Sequence, residues 1–352
     1  MTQYISDKIK ILSAISIILV LYIHSGFHAD EIAGLTINDN VQKFISGMIG
    51  RCAVPLFFMI SGYLFFLKIP DGLRSIFEKM KKRVKTLLIP YIIASMFFVL
   101  CFVILGFIPG VDKFMNGNLS VLFEKRWYTI LYEVFIRTDN GQPVAFQLWF
   151  LRDLMILILV SPLPYYLLKY LKWVWVLIVF TLTLFIPKGL FPVYALFWFC
   201  LGGYFTEFKS KILNSIEWKG GIILTLIFLT LCLAELFFPD FTVWQYTGTP
   251  IILLGIVSLW LFYDNVVPNT FLLKNHLWLQ TICSFTFFIY LFHEPTLNVV
   301  RKLIVSIFGK NSMGYLISYL VSPFIFMLAA IIVGIILKKY LPKFYQISIG
   351  GR

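Results

Sequence analysis

The sequence predicts an all-α protein, a polytopic membrane helix bundle of about ten transmembrane helices with its N-terminus and C-terminus both cytoplasmic. Three observations carry this. Hydrophobic residues fill 60% of the 352 positions and charged residues only 13%, with a mean hydropathy of +0.87, a composition foreign to water-soluble domains. Apolar runs of about 20 residues, enough to cross roughly 30 Å of hydrocarbon, recur between short polar or Pro/Gly-containing connections. With the N-terminus inside, the cytoplasmic side receives more than twice as many Lys and Arg as the outer side.

The runs fall near 9–27, 46–67, 87–109, 146–168, 173–188, 190–206, 220–238, 248–263, 279–298 and 314–337. The first follows Asp7-Lys8-Ile9-Lys10, lacks a small-residue cleavage site and exceeds a signal-peptide core in length, so it reads as a retained helix. A tight Pro187-Lys188-Gly189 connection separates the fifth run from the sixth. Between the second and third runs, the stretch from Lys68 to Lys85 reads as a basic cytoplasmic loop, serving as a topology determinant, as an anion-binding surface, or as both. The largest outer segment, about 110–145, has the aromatic and mixed-charge character of an interfacial helix or a lid. No internal repeat or low-complexity tract interrupts the pattern, so residues 1–352 read as a single integral-membrane domain.

Several function classes are disfavoured at this point. The net charge of +13 is explained by membrane topology, and nucleic acid is not an expected partner. The five cysteines all sit in apolar runs without ligand spacing, which predicts packing residues and no metal site. No Gly-rich phosphate loop, zinc-protease motif or paired-carboxylate pattern is present, and Ser61-Gly62 lacks the setting of a nucleophile elbow.

Ionisable side chains inside spans are costly and therefore mark candidate sites. Here they gather at one depth, the outer end. His24 and His28, spaced i, i+4 on one expected helix face, end the first span. Arg51 lies in the second span, Trp149, Arg152 and Asp153 in the fourth, Glu235 in the seventh, and His293-Glu294 in the ninth. Each has a plain reading as an interfacial or snorkelling residue, Glu235 above all. Together, imidazole, carboxylates and guanidinium groups in a partly dehydrated pocket suit general-base catalysis on a hydroxyl.

Five fragments then fall in a recognisable order: the histidine ending the first span; Arg51-Cys-Ala-Val-Pro55-Leu-Phe57-Phe58-Met-Ile-Ser61-Gly62-Tyr63; a basic stretch running into Pro90-Tyr91; Leu148-Trp149-Phe150-Leu151; and Tyr290-Leu-Phe-His293-Glu294-Pro295. In these the chain resembles the integral-membrane acyltransferase family 3, which includes bacterial O-acetyltransferases of surface polysaccharides and other exported glycans. The family pattern places a basic residue eleven positions before the histidine. Ser13 stands there instead, a departure from the pattern. Lys10, one turn earlier on roughly the same face, is the expected replacement.

The resemblance implies a multi-pass protein of the inner or plasma membrane. It would move an acetyl or other short acyl group from cytoplasmic acyl-CoA, most simply acetyl-CoA, to a hydroxyl of an extracytoplasmic glycan or lipid-linked sugar. Lys10, Lys82, Arg83 and Lys85 are the expected contacts for the phosphates of the donor, with Lys10 first because positive-inside charge already accounts for the others. His24 would remove the acceptor proton or become transiently acylated, and Arg51 would polarise the thioester carbonyl or orient the acceptor. Trp149, Arg152, Asp153, His293 and Glu294 are the expected acceptor-binding groups. For Ser61-Gly62-Tyr63 the expectation is close helix packing or a place on the cofactor channel, and for Pro55 a helix kink. The rival class is a non-enzymatic exporter or flippase for a polysaccharide or lipid-linked glycan, which would not recognise acyl-CoA.

Overall fold

The computed structural model describes residues 1–28, 31–106, 120–186, 191–208 and 220–351. Every described regular element is helical. Helix α1 (Gln3–Ser25) opens with Thr2, whose hydroxyl accepts from the Ile5 amide, and continues through an unbroken apolar run. It occupies the middle of the bundle, with Leu12, Ile17 and Leu21 completely buried. Gly26 turns the chain out into extended backbone.

A second continuous helical stretch covers 36–66 but changes pitch along its length. Helix α2 (Thr36–Gln42) passes into a π-helical segment at Lys43–Ile49 and a 3-10 turn at Gly50–Cys52 before α3 (Ala53–Phe66). Pro55 supplies a reason for the irregular turn. It has no amide hydrogen to bond the carbonyl four residues earlier, and its ring crowds that carbonyl, which belongs to Arg51. Arg51 therefore projects from this irregular turn.

Helix α4 (Leu73–Gly106) begins well before the third predicted span, so the basic stretch is mostly not a loop: Lys79 to Lys85 lie on its first turns. The outer segment contains the short amphipathic helix α5 (Trp127–Phe135). The fourth predicted span is broken. Helices α6 (Trp149–Val160) and α7 (Pro162–Leu171) meet at 66°, as expected where Pro162 and Pro164 follow Ser161. Then come α8 (Trp173–Phe185), α9 (Val193–Phe208), α10 (Gly220–Phe237) and α11 (Trp244–Val266). The Pro187-Lys188-Gly189 connection, the 107–109 end of the third span and residues 110–119 lie outside the described residues.

The ninth predicted span stops early. Helix α12 (Leu277–Phe292) ends at His293-Glu294-Pro295, and a separate amphipathic helix, α13 (Thr296–Phe308), follows in what the sequence suggests is a loop. Helices α14 (Ser312–Tyr340) and α15 (Pro342–Ser348) complete the chain. Six described helical stretches are long and apolar enough to cross a membrane, and the bent α6–α7 pair makes a seventh. The other three predicted spans correspond to the shorter apolar helices α8, α9 and α12.

Helix α1 packs against α3, α12, α13 and α14. The closest approach in the bundle joins α3 to α9. A Cβ on Gly62 would overlap the Phe199 carbonyl, and one on Gly202 would overlap that of Met59. Gly62 thus makes the close helix contact that is one of the two expectations for Ser61-Gly62-Tyr63, since only hydrogen at Gly62 and Gly202 lets the backbones meet.

Candidate active site

Two histidines from different helices meet at one end of the bundle. The ring of His24, in the last turn of α1, lies 4.9 Å from that of His293 and 5.5 Å from that of Phe146. His293 caps α12 and is fully buried. Its Nδ1 is 2.7 Å from the Tyr290 carbonyl, which can only accept, so Nδ1 carries the hydrogen. Nε2 is thereby left as a lone-pair acceptor, buried and without a hydrogen-bond partner among the described residues. The Tyr290 hydroxyl in turn donates to the Gln147 carbonyl at 3.0 Å, and the Gln147 amide reaches the Glu294 carbonyl at 3.4 Å. The end of α12 is thus tied to the turn that begins α6.

A third element steadies the pair from outside. Arg301 of α13 is buried, donates to the Gly26 carbonyl and to Asn298 Oδ1 (2.8 Å), and covers the ring of Phe27 at 4.5 Å. The guanidinium holds the residues that immediately follow His24, an anchor the sequence reading missed. The Asn298-x-x-Arg301 spacing on an amphipathic segment was the available signal.

The other residues expected at this end are distributed more widely. Arg51 forms an ion pair with Glu235 at 2.8 Å, so Glu235 is the partner of Arg51 rather than a water-facing carboxylate. Arg152 pairs with the adjacent Asp153 at 2.8 Å, and it donates to the Ile136 and Gly141 carbonyls, both at 2.9 Å. These two side chains brace the outer segment. Trp149 is half-buried near Phe58, and Glu294 is buried one residue after His293. His28 does not share a helical face with His24. The helix has already ended at Ser25, and His28 is exposed with its amide donating to Glu31.

A cavity of about 1040 Å³ occupies the opposite half of the bundle, at the upper limit of typical small-molecule sites. Four cationic side chains from four elements line it: Lys10 of α1, Arg83 of α4, Lys274 in the turn before α12, and Lys338 of α14. Lys10, Lys274 and Lys338 are exposed, so the cavity opens at this end. Ser13 and Ser61 lie on its wall, and its deeper lining is mainly apolar and aromatic. Of the four expected phosphate contacts, Lys10 and Arg83 line the cavity and Lys82 and Lys85 do not, because successive residues on α4 face different directions. Lys274 and Lys338 went unnoticed among the positive-inside charges. Gln3 and Gln346 also line the cavity, so α1 and α15 begin and end at the same end of the bundle.

Beside this mouth lies a buried ion pair that the sequence reading also overlooked. Lys8 Nζ is 2.7 Å from Asp264 and 3.9 Å from the centre of the Trp260 ring, and the Tyr4 hydroxyl donates to the same carboxylate at 2.8 Å.

Comparison with known proteins places this arrangement. The chain is similar to the succinoglycan biosynthesis protein ExoH of Rhizobium meliloti (strain 1021), with 24% identity over 371 residues covering 100% of this chain and 94% of the relative. No solved structure matches. A family model described as an acyltransferase domain, Acyl_transf_3, matches residues 7–339, which takes in both the cavity mouth at Lys10 and the histidine pair. This multi-pass helical protein, with a histidine at the end of its first helix and the Arg51-to-Tyr63 motif after it, belongs to the acyltransferase 3 family.

Proposed function

We propose that the protein transfers a short acyl group, acetyl in the simplest case, from acyl-CoA to a hydroxyl of an exported glycan or lipid-linked sugar. In this reading the Lys10 end faces the cytoplasm of a bacterial inner or plasma membrane and the His24 end faces outward. One observation carries it: a cavity ringed by four cations reaches Tyr290, whose carbonyl fixes the histidine beside His24. Cations at the mouth suit the phosphates of the donor, and the apolar depth suits its extended arm. The glycan acceptor follows from family membership and from the name of the ExoH relative.

The chemistry needs little beyond the residues described. The hydroxyl oxygen attacks the thioester carbonyl, an ester C–O bond forms, and the C–S bond breaks. His24 takes the hydroxyl proton and returns it to the departing sulfur. The lone pair of His293 accepts a hydrogen bond from the acceptor or from His24, and burial of the His293 ring makes that bond stronger than it would be in water. Arg51, aligned by Glu235, polarises the carbonyl or orients the acceptor. Trp149 and Glu294 bind the sugar, and Arg152 and Asp153 shape the outer wall.

The test needs no knowledge of the acceptor. Detergent-purified protein is assayed for acetyl-CoA binding and for slow CoA release with water as the nucleophile. The expected result is saturable binding that weakens in Lys10→Ala and release that disappears in His24→Ala. Well-folded protein that binds no acyl-CoA would remove this reading and leave an exporter as the better one.

A further inference from the structure

The cavity and the histidine pair do not join. Neither His24 nor His293 lines the cavity, whose lining at this depth includes Phe57, Phe150 and Tyr290. Tyr290 belongs to both chambers, since its side chain lines the cavity while its carbonyl accepts from His293. The Phe150 ring stands edge-on to the Tyr290 ring at 5.7 Å and lies 5.8 Å from that of Phe57. Tyr290 thus links the cavity lining to His293, whose ring is 6.1 Å from its own, and Phe150 packs beside it.

The two inner rings are held differently. Tyr290 is tethered through its hydroxyl to the Gln147 carbonyl and is set by the end of α12. Phe150 is apolar and packs against the rings of Tyr290, Phe57 and Phe58, the last at 4.6 Å. On the acyl-CoA reading, an acyl group leaving the cavity toward His24 passes Tyr290 and the Phe150 ring beside it.

We infer that Phe150 and Tyr290 form an aromatic partition that sets the acyl-chain length the enzyme accepts, admitting two-carbon groups and resisting longer ones. This rests on the acyl-CoA reading above and adds the residues that decide which acyl-CoA is used. A ring-lined constriction discriminates by methylene count, and one methylene in a tight apolar site is worth roughly 10- to 200-fold. Truncating Phe150 removes the movable wall. Substituting Tyr290 by Phe frees the tethered one without changing its size.

The experiment measures CoA release from acetyl-, butyryl- and hexanoyl-CoA chromatographically, alongside binding of CoA itself. Wild type is expected to release CoA fastest from the acetyl donor and progressively more slowly from the longer ones. Phe150→Ala is expected to raise the hexanoyl-to-acetyl ratio about tenfold or more. Phe150→Leu, a milder change that guards against misfolding, should shift the ratio less but in the same direction. Phe197→Leu, a buried ring outside the cavity lining that packs on Phe180 and Trp198, should leave it unmoved. CoA binding with an unaltered ratio in both folded Phe150 variants would overturn the partition alone. Wild type that binds no CoA would take down the donor reading and the partition with it.

Discussion

Lys8 and Asp264 lie 2.7 Å apart with side-chain exposures of 0% and 5%, an ion pair sealed between α1 and α11. Removing one member strands a buried charge. Asp264→Ala should therefore destabilise the protein by about 3–5 kcal/mol, whereas the double change Lys8→Met with Asp264→Leu should cost much less. Unfolding in detergent, followed by heat or denaturant, checks both; equal losses in the two proteins would show that the pair is not the stabilising unit.

If the proposed mechanism holds, His24→Ala should lower CoA release roughly 100- to 10,000-fold while acetyl-CoA still binds, because the imidazole would serve proton transfer and does not line the cavity. His293→Leu should also lose activity, since an aliphatic side chain offers no lone pair where Nε2 stands. Turnover compared with equilibrium binding is the measurement. Parallel loss of affinity in His24→Ala would place the ring on the donor path instead.

The cavity cations should separate by location. Lys10→Ala, Lys274→Ala and Lys338→Ala should each weaken acetyl-CoA binding by about tenfold or more at low salt, the size of a charge-assisted hydrogen bond. Lys82→Ala and Lys85→Ala, outside the lining, should change it little. Calorimetric titration at two salt concentrations decides; five equal effects would indicate a diffuse basic surface rather than a built site.

Glu235→Gln should reduce turnover about tenfold by loosening Arg51, with Arg51→Lys no substitute for a planar guanidinium. If the carboxylate acts only through Arg51, the Arg51→Ala/Glu235→Ala double variant should be no worse than Arg51→Ala alone. Additive losses would give Glu235 a separate role.

Gly62→Ala should destabilise the α3–α9 contact by about 1–3 kcal/mol, and Gly202→Ala by a similar amount, since each new methyl meets a carbonyl that cannot move independently. Thermal stability in detergent is the readout.

The helical class and the positions of the ten apolar segments were legible because hydrophobic length and composition record burial in lipid directly. What was not legible depended on local backbone chemistry or on partners distant in sequence. Gly26 takes His28 off the helix, Pro162 and Pro164 fold one expected span into two helices, and Pro295 follows the point where α12 stops. The site residues His24 and His293 stood out as ionisable groups in apolar runs, and the structure brings their rings together. Lys8 with Asp264, Arg51 with Glu235, and Lys10 with Lys274 and Lys338 are groupings made by the tertiary arrangement. Lys82 and Lys85 were singled out with Arg83 because charge density along a sequence carries no information about helical facing.

Helix α1 carries Lys10 at the cavity mouth and His24 at the histidine pair, fourteen positions apart, or about 21 Å along one axis. On the proposed acyl-CoA reading, that single helix would act as a ruler between the group that grips one end of the donor and the group that receives the other. Inserting one residue midway would turn His24 by about 100° and advance it by about 1.5 Å while leaving the grip at Lys10 in place. The resulting protein would hold its donor normally and present it out of register with the histidine. On that reading the permissible span of the cosubstrate would be written in the residue count of one helix, independently of how tightly either end is held.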